Sequence, residues 1–183
     1  MTPSLTSTRA AAAATVLCLA VVLQVSVLPH LAYRGVAADA VLLVVVAAGL
    51  RHGSEPAMVL GFAGGLLLDL VPPADHVAGR WALALLAAGY VSGRVSGRFT
   101  DRVPHRDGRP RRTVVLATVA ACSFVATSLF ALTGLALRDP LVGVPTLLET
   151  VLVALVSDLV LGALLVPLVI ALDERLEPDR VLA

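Results

Sequence analysis

The chain has 183 residues, of which 58% are hydrophobic and 15% charged, with a mean hydropathy of +0.91. Soluble domains carry about 25% charged residues, so this composition excludes an ordinary water-soluble domain and points to one that spends its apolar surface on lipid. The formal net charge of +1 conceals a local asymmetry, because seven arginines fall between Arg94 and Arg112 against Asp101 and Asp107 alone. Every basic residue is Arg and none is Lys, a usage that suggests a GC-rich bacterial coding sequence.

Six apolar runs follow one another, and they predict an all-α, polytopic membrane helix bundle of about six transmembrane helices in one domain spanning residues 1–183. The first, residues 10–28, is too long for the h-region of a signal peptide and is read as a retained helix. Residues 36–50 and 57–71 form a helical hairpin around the polar turn Arg51, His52, Gly53 and Ser54. Each of these two would reach only about 22 Å at 1.5 Å per residue, short of a hydrocarbon core of about 30 Å. Pro72 and Pro73 stop the third helix, and a polar loop leads to Trp81 at an interface. The fourth helix covers residues 81–98, the fifth 114–137 and the sixth 147–172.

Basic residues in short loops are retained in the cytoplasm. Six crossings place eleven arginines on one side, the central loop included, against Arg34, Arg80 and Arg138 on the other. The expectation is a multi-pass protein of the cell (plasma) membrane with both termini cytoplasmic.

Gly89, Gly93 and Gly97 recur every fourth residue on the fourth helix, and Gly61 and Gly65 repeat the interval on the third. Small residues so spaced let another helix come close, either inside the bundle or in a partner. On this reading Gly93→Leu forces helices apart and Gly93→Ala is nearly silent. Arg94, Arg98 and Arg102 form a stripe at the end of the fourth helix, suited to anionic lipid headgroups or simply to setting topology. No aromatic platform accompanies the stripe, so no nucleic-acid partner is expected.

Carboxylates within apolar runs cost a few kcal/mol each. Asp39, Asp69 and Glu149 fall near the non-cytoplasmic ends of their helices, where Arg34, Arg80 and Arg138 offer ion pairs. Asp158 lies near the middle of the last helix, where an acid is by default a functional candidate. Without a midplane basic partner or a second acid it makes a poor proton relay, and the alternative is a bond to a neighbouring Ser or Thr hydroxyl. Cys18 and Cys122 sit in apolar runs as small hydrophobes. His30, His52, His76 and His105 show no metal-ligand spacing. No catalytic residue, metal or cofactor is expected, and the chain is read as a non-enzymatic protein.

The order of several short motifs resembles the rod shape-determining MreD family of bacteria. These are Leu28-Pro29, Ala38-Asp39-Ala40-Val41-Leu42-Leu43, Arg51-His52-Gly53, Gly61-Phe62-Ala63-Gly64-Gly65-Leu66-Leu67-Leu68-Asp69-Leu70, then Gly79 and Gly89-Tyr90. Ala38 departs from the proline common there, and the Arg-rich connection is unusually long. The resemblance implies a membrane scaffold of the cell-elongation (Rod) machinery. Such a subunit binds MreC and works with MreB, the RodA glycosyltransferase and a class B penicillin-binding protein to direct lateral peptidoglycan synthesis. It also implies a bundle similar to the S-component fold of energy-coupling-factor transporters. The alternative function is therefore the substrate-binding subunit of such a vitamin transporter, for which Ala10 and Ala14 offer the small-residue spacing. A vitamin site calls for several aromatic residues, whereas only 4% of this chain is aromatic.

Overall fold

A computed structural model of the chain describes residues 5–72, 77–100, 110–137 and 144–176. They form six α-helices: α1 (Leu5–Ser26), α2 (Ala40–His52), α3 (Ser54–Leu70), α4 (Arg80–Thr100), α5 (Arg112–Ala136) and α6 (Val144–Leu176). A 3-10 turn at Leu28–Leu31 follows α1, and the described residues contain no strand beyond an isolated bridge between Tyr33 and Val36. The all-α expectation holds. Arg112–Ala136 and Leu147–Arg175 are long and apolar enough to cross a membrane, while Ala10–Ser26 and Ala40–His52 are shorter apolar helices.

α2 is the axis around which the rest is arranged. A helix that is apolar all round must be buried, and Ala40 to Ala47 are buried without a break. α2 touches each of the other five helices. Its start differs from the expected residue 36. Arg34 (φ 52°) and Gly35 (φ 80°) make a tight turn in which Tyr33 and Val36 exchange backbone hydrogen bonds of 3.0 Å each. Two consecutive positive φ angles are the signature of a type I′ turn, and they keep Val36 out of the helix. At 13 residues α2 measures about 20 Å, and α3, at 17 residues, about 26 Å.

Gly53, at φ 86°, turns the chain directly from α2 into α3, as the polar turn predicted. α3 then packs antiparallel on α4 at backbone contact. A Cβ added at Gly61 would strike the Leu85 carbonyl, one at Gly65 the backbone of Trp81 and Ala82, and one at Gly89 the backbone of Ala57. At Gly93 it would meet the backbone of Ser54. The glycine spacing thus serves packing within the bundle at four positions. Gly97 does not join them, because nothing lies within 4 Å of a Cβ placed there. Across the same region Gly49 on α2 faces Ser92, and the Ser96 hydroxyl donates to the Leu50 carbonyl at 2.9 Å.

The helices alternate in direction, so the arginines sort by end. Arg51, Arg94, Arg111, Arg112 and Arg175 lie at one end, and Arg34 and Arg80 at the other. At the Arg-rich end Arg51 pairs with Asp173 at 3.3 Å and with Glu174 at 3.5 Å, and His52 meets Asp173 at 3.1 Å. These contacts fasten the end of α2 to the end of α6. Arg138 and Arg102 lie outside the described residues.

Burial runs opposite to that of a water-soluble protein. Asp39, Asp69, Arg80, Ser92, Thr118, Ser123 and Asp158 are buried, while large apolar side chains cover the outside. On α6 the buried positions Ala154, Asp158, Val166 and Ile170 alternate with an exposed row at Leu148, Leu152, Val156, Val160, Leu164, Leu168 and Leu172. Both rows repeat every fourth residue, the interval of one ridge on a helix surface.

The seam corrects the expectation for Gly93→Ala. The clash is with backbone of Ser54, which cannot rotate away, so one added methyl should cost about 1–3 kcal/mol, as overpacking does. Thermal unfolding in detergent should show Gly93→Ala clearly below the parent and Gly97→Ala level with it. Equal melting temperatures for the two variants would place the seam elsewhere.

Candidate functional site: carboxylates at buried helix N-termini

The first N–H groups of a helix have no partner within it, and where water is excluded they must find one. α2 begins inside the bundle, so its start poses this problem fully. Three side chains from three places meet the need. The Asp39 N–H donates to Asp158 Oδ1 at 2.6 Å, the Ala40 N–H to Gln24 Oε1 at 2.6 Å, and the Leu42 N–H to Asp39 Oδ1 at 2.9 Å. Asp158 is held in turn from α5, where the Ser123 hydroxyl donates to its Oδ2 at 2.6 Å. The node therefore joins α1, α2, α5 and α6.

Asp158 bonds a serine hydroxyl, as expected, but it is not a lone acid. Asp39 lies beside it, brought in by the N-terminus of α2 from 119 residues away. Sequence spacing hid the pair because the two acids belong to different helices. Asp39 also departs from expectation in its role, serving as the N-cap of α2 with a side-chain bond to a backbone amide. Gln24 and Ser123 were not singled out from sequence. Gln24 carried a usable signal, since it is the only carboxamide side chain in the chain and stands in an apolar run.

Asp69 repeats the arrangement on α4. It sits in the last turn of α3 and is buried. Its carboxylate accepts from the N–H groups of Gly79 at 2.8 Å, Trp81 at 3.1 Å and Ala82 at 3.1 Å. Asp69 was expected to meet outer arginines, and these three bonds make it the cap of the α4 N-terminus. Gly79, at φ 100°, gives the chain the left-handed step that turns its amide toward the acid. The positive end of the helix dipole reinforces such charge-assisted bonds. Beside it, Arg80 donates to the Phe130 carbonyl at 2.8 Å and stands 4.0 Å from that ring's centre, and Trp81 packs on the same ring at 4.5 Å. These contacts tie the start of α4 to α5.

Of the remaining sites, Glu149 pairs with Arg34, as the outer-end arginines led one to expect. This closes the α1–α2 connection onto α6. The hydrogen bond to Glu149, with its charge, holds the Arg34 guanidinium above its ordinary value. Arg94 stacks over Tyr90 at 5.0 Å on α4. Arg98 falls on α4 by its backbone, and its side chain lies outside the described residues, as does all of Arg102. Cys122 donates to the Ala88 carbonyl at 3.4 Å, a packing contact between α5 and α4. Among the described residues no group of three His, Cys, Asp or Glu side chains is arranged to hold a metal ion.

The chemistry on offer is hydrogen bonding between carboxylates and backbone amides, which orders helix ends. The cavities of about 510 and 380 Å³ lie at the Arg-rich end, and Asp39, Asp69 and Asp158 line neither. Comparisons with protein-family models, curated proteins and solved structures return no match.

Two substitutions test this account. Asp158→Asn can keep both bonds, with its oxygen accepting from the Asp39 N–H and its amide donating to Ser123, whose hydroxyl rotates to accept. It should be tolerated, whereas Asp158→Leu strands a buried N–H and a hydroxyl at about 1–3 kcal/mol each. Unfolding in detergent should rank parent, Asn and Leu in that order with a wide gap before Leu. Asp69→Ala removes three bonds to one charged group and should cost at least about 2 kcal/mol. An Asp69→Ala protein as stable as the parent would show that α4 does not need its cap.

Proposed function

We propose that the chain is a multi-pass membrane subunit of the bacterial cell-elongation machinery, a scaffold that binds MreC and helps direct lateral wall synthesis. The carrying observation is where the motif residues fall. Asp39 sits in the node that begins α2, Gly61, Gly65 and Gly89 form the α3–α4 seam, and Asp69 reaches Gly79 to cap α4. The segments that resemble the MreD family are thus the ones that determine how α2, α3 and α4 fit together. A scaffold needs that kind of shape more than it needs a reactive side chain. Asp39, Asp69 and Asp158 are engaged by backbone amides, which also suits a structural role.

Six crossings are part of the proposal. The outward apolar faces and the inward polar groups suit lipid as the surrounding solvent. A short α2 fits this reading because its N-terminus is satisfied by side chains inside the layer, so it has no need to reach the far surface. The sorting of arginines by end supports a cytoplasmic Arg-rich end.

Affinity capture of the chain from bacterial membranes should bring down MreC, and the chain should restore rod shape to cells lacking their own MreD. Recovery with the membrane and ATPase subunits of a transporter, and no wall-synthesis protein, would reject the scaffold reading in favour of the solute-binding one. Orientation is tested with single cysteines in a background free of Cys18 and Cys122. An impermeant thiol reagent applied to intact cells should label Tyr33→Cys and leave Thr113→Cys untouched, and the reverse pattern would invert the topology.

A further inference from the structure

Arginines at the Arg-rich end are treated in two ways. Arg51 is neutralised by Asp173 and Glu174, and the cavity of about 510 Å³ beside it, lined also by His52 and Glu55, carries both signs of charge. Arg111 and Arg112 differ. Both are exposed at the start of α5, and among the described residues no carboxylate lies within ion-pairing distance of either. From Arg112 a groove of about 380 Å³ runs between α5 and α6, lined by Val115, Leu116, Ala163, Pro167 and Ile170. Its volume falls in the range of small-molecule sites. Its walls belong to the two helices that are long and apolar enough to cross a membrane.

We infer that this groove holds one anionic phospholipid, its phosphodiester at Arg111 and Arg112 and an acyl chain along Val115, Leu116 and Ala163. An apolar slot that ends at Arg112, with Arg111 next to it in the chain and no carboxylate paired with either among the described residues, is complementary to an amphiphile with an anionic head. A wholly apolar occupant would leave the arginines unanswered, and a free anion would leave the slot empty. Basic pockets between membrane helices recognise acidic headgroups by this combination. The side chain of Ala163 is a single methyl, which keeps the α6 wall low enough for a chain to lie across it. The site is separate from the Arg94 side chain, which stacks on Tyr90. The inference rests on the membrane reading above and assigns a lipid to one place on it.

The test is lipid titration of the purified full chain in detergent, read by native mass spectrometry. Phosphatidylglycerol and phosphatidylcholine with matched acyl chains are the probes. The parent should retain one phosphatidylglycerol with a preference of roughly thirtyfold over phosphatidylcholine, the order expected for two arginines. Arg111→Gln with Arg112→Gln should abolish the preference, and Arg94→Gln should leave it unchanged. Ala163→Phe should reduce retention of both lipids, and Leu116→Trp, from the opposite wall, serves if the first variant fails to fold. Equal retention of the two lipids by the parent overturns the proposal. So does a preference that survives loss of both arginines, or one lost equally with Arg94→Gln. Displacement of the lipid by excess inorganic phosphate would make this a bare anion site and would also overturn it. A chain that purifies without detergent ends the membrane reading itself, whereas one that requires detergent and holds no phosphatidylglycerol removes this inference alone.

Discussion

The start of α2 is a set of backbone N–H groups placed where no water can answer them. An unsatisfied buried amide costs about 1–3 kcal/mol, and more where only hydrocarbon surrounds it. The bundle meets this with Asp158 from α6, Gln24 from α1 and the side chain of Asp39 itself, and Ser123 steadies Asp158 from α5. Because α2 touches every other helix, whatever positions its first turn positions the packing of the whole. The carboxylates that look costly in an apolar sequence are what allow a short helix to begin inside the bundle.

α4 has the same need at its own start and the same answer in Asp69. Here the cap works together with the glycine seam. Gly65, opposite Trp81 and Ala82, lets α3 lie so close to α4 that the carboxylate one turn further on reaches the first amides of α4. A bulkier residue at Gly65 would move the acid and the amides apart, so close approach and capping depend on each other. At the far end of the seam Ser54 meets Gly93 just beyond the turn at Gly53, which locks the α2–α3 hairpin to α4.

Polar groups turned inward leave the outside to Leu, Val and Phe. The exposed row on α6 is the clearest instance, and its buried counterpart carries Asp158. Charge is then confined to the two ends. At one end Arg34 and Glu149 fasten α6 to the α1–α2 connection, and at the other Arg51 and Asp173 fasten it to the end of α2. α6 is clipped at both ends and held by hydrogen bonds at its middle, an economical way to fix a helix whose outer face meets no other helix of the bundle.

Much of this was legible in the sequence. Apolar runs broken by arginines and prolines announce helices and their order, because each run must be long enough to satisfy its own backbone. The four-residue glycine interval announces close packing, and a serine or threonine partner for Asp158 follows from the cost of leaving a buried carboxylate unanswered. Sequence alone therefore determined the all-α class, the helix count, the sorting of arginines by end among the described residues and which acids are out of place in an apolar setting. It did not determine who meets whom. That Gly93 faces backbone while Gly97 faces nothing depends on where Ser54 lies, and one glycine looks like another along the chain. Asp39 and Asp158 became neighbours, and Asp69 became a cap for α4, only once the helices were packed. A hydrogen bond depends on distance and direction in space, and residues 119 positions apart acquire both only from the tertiary fold.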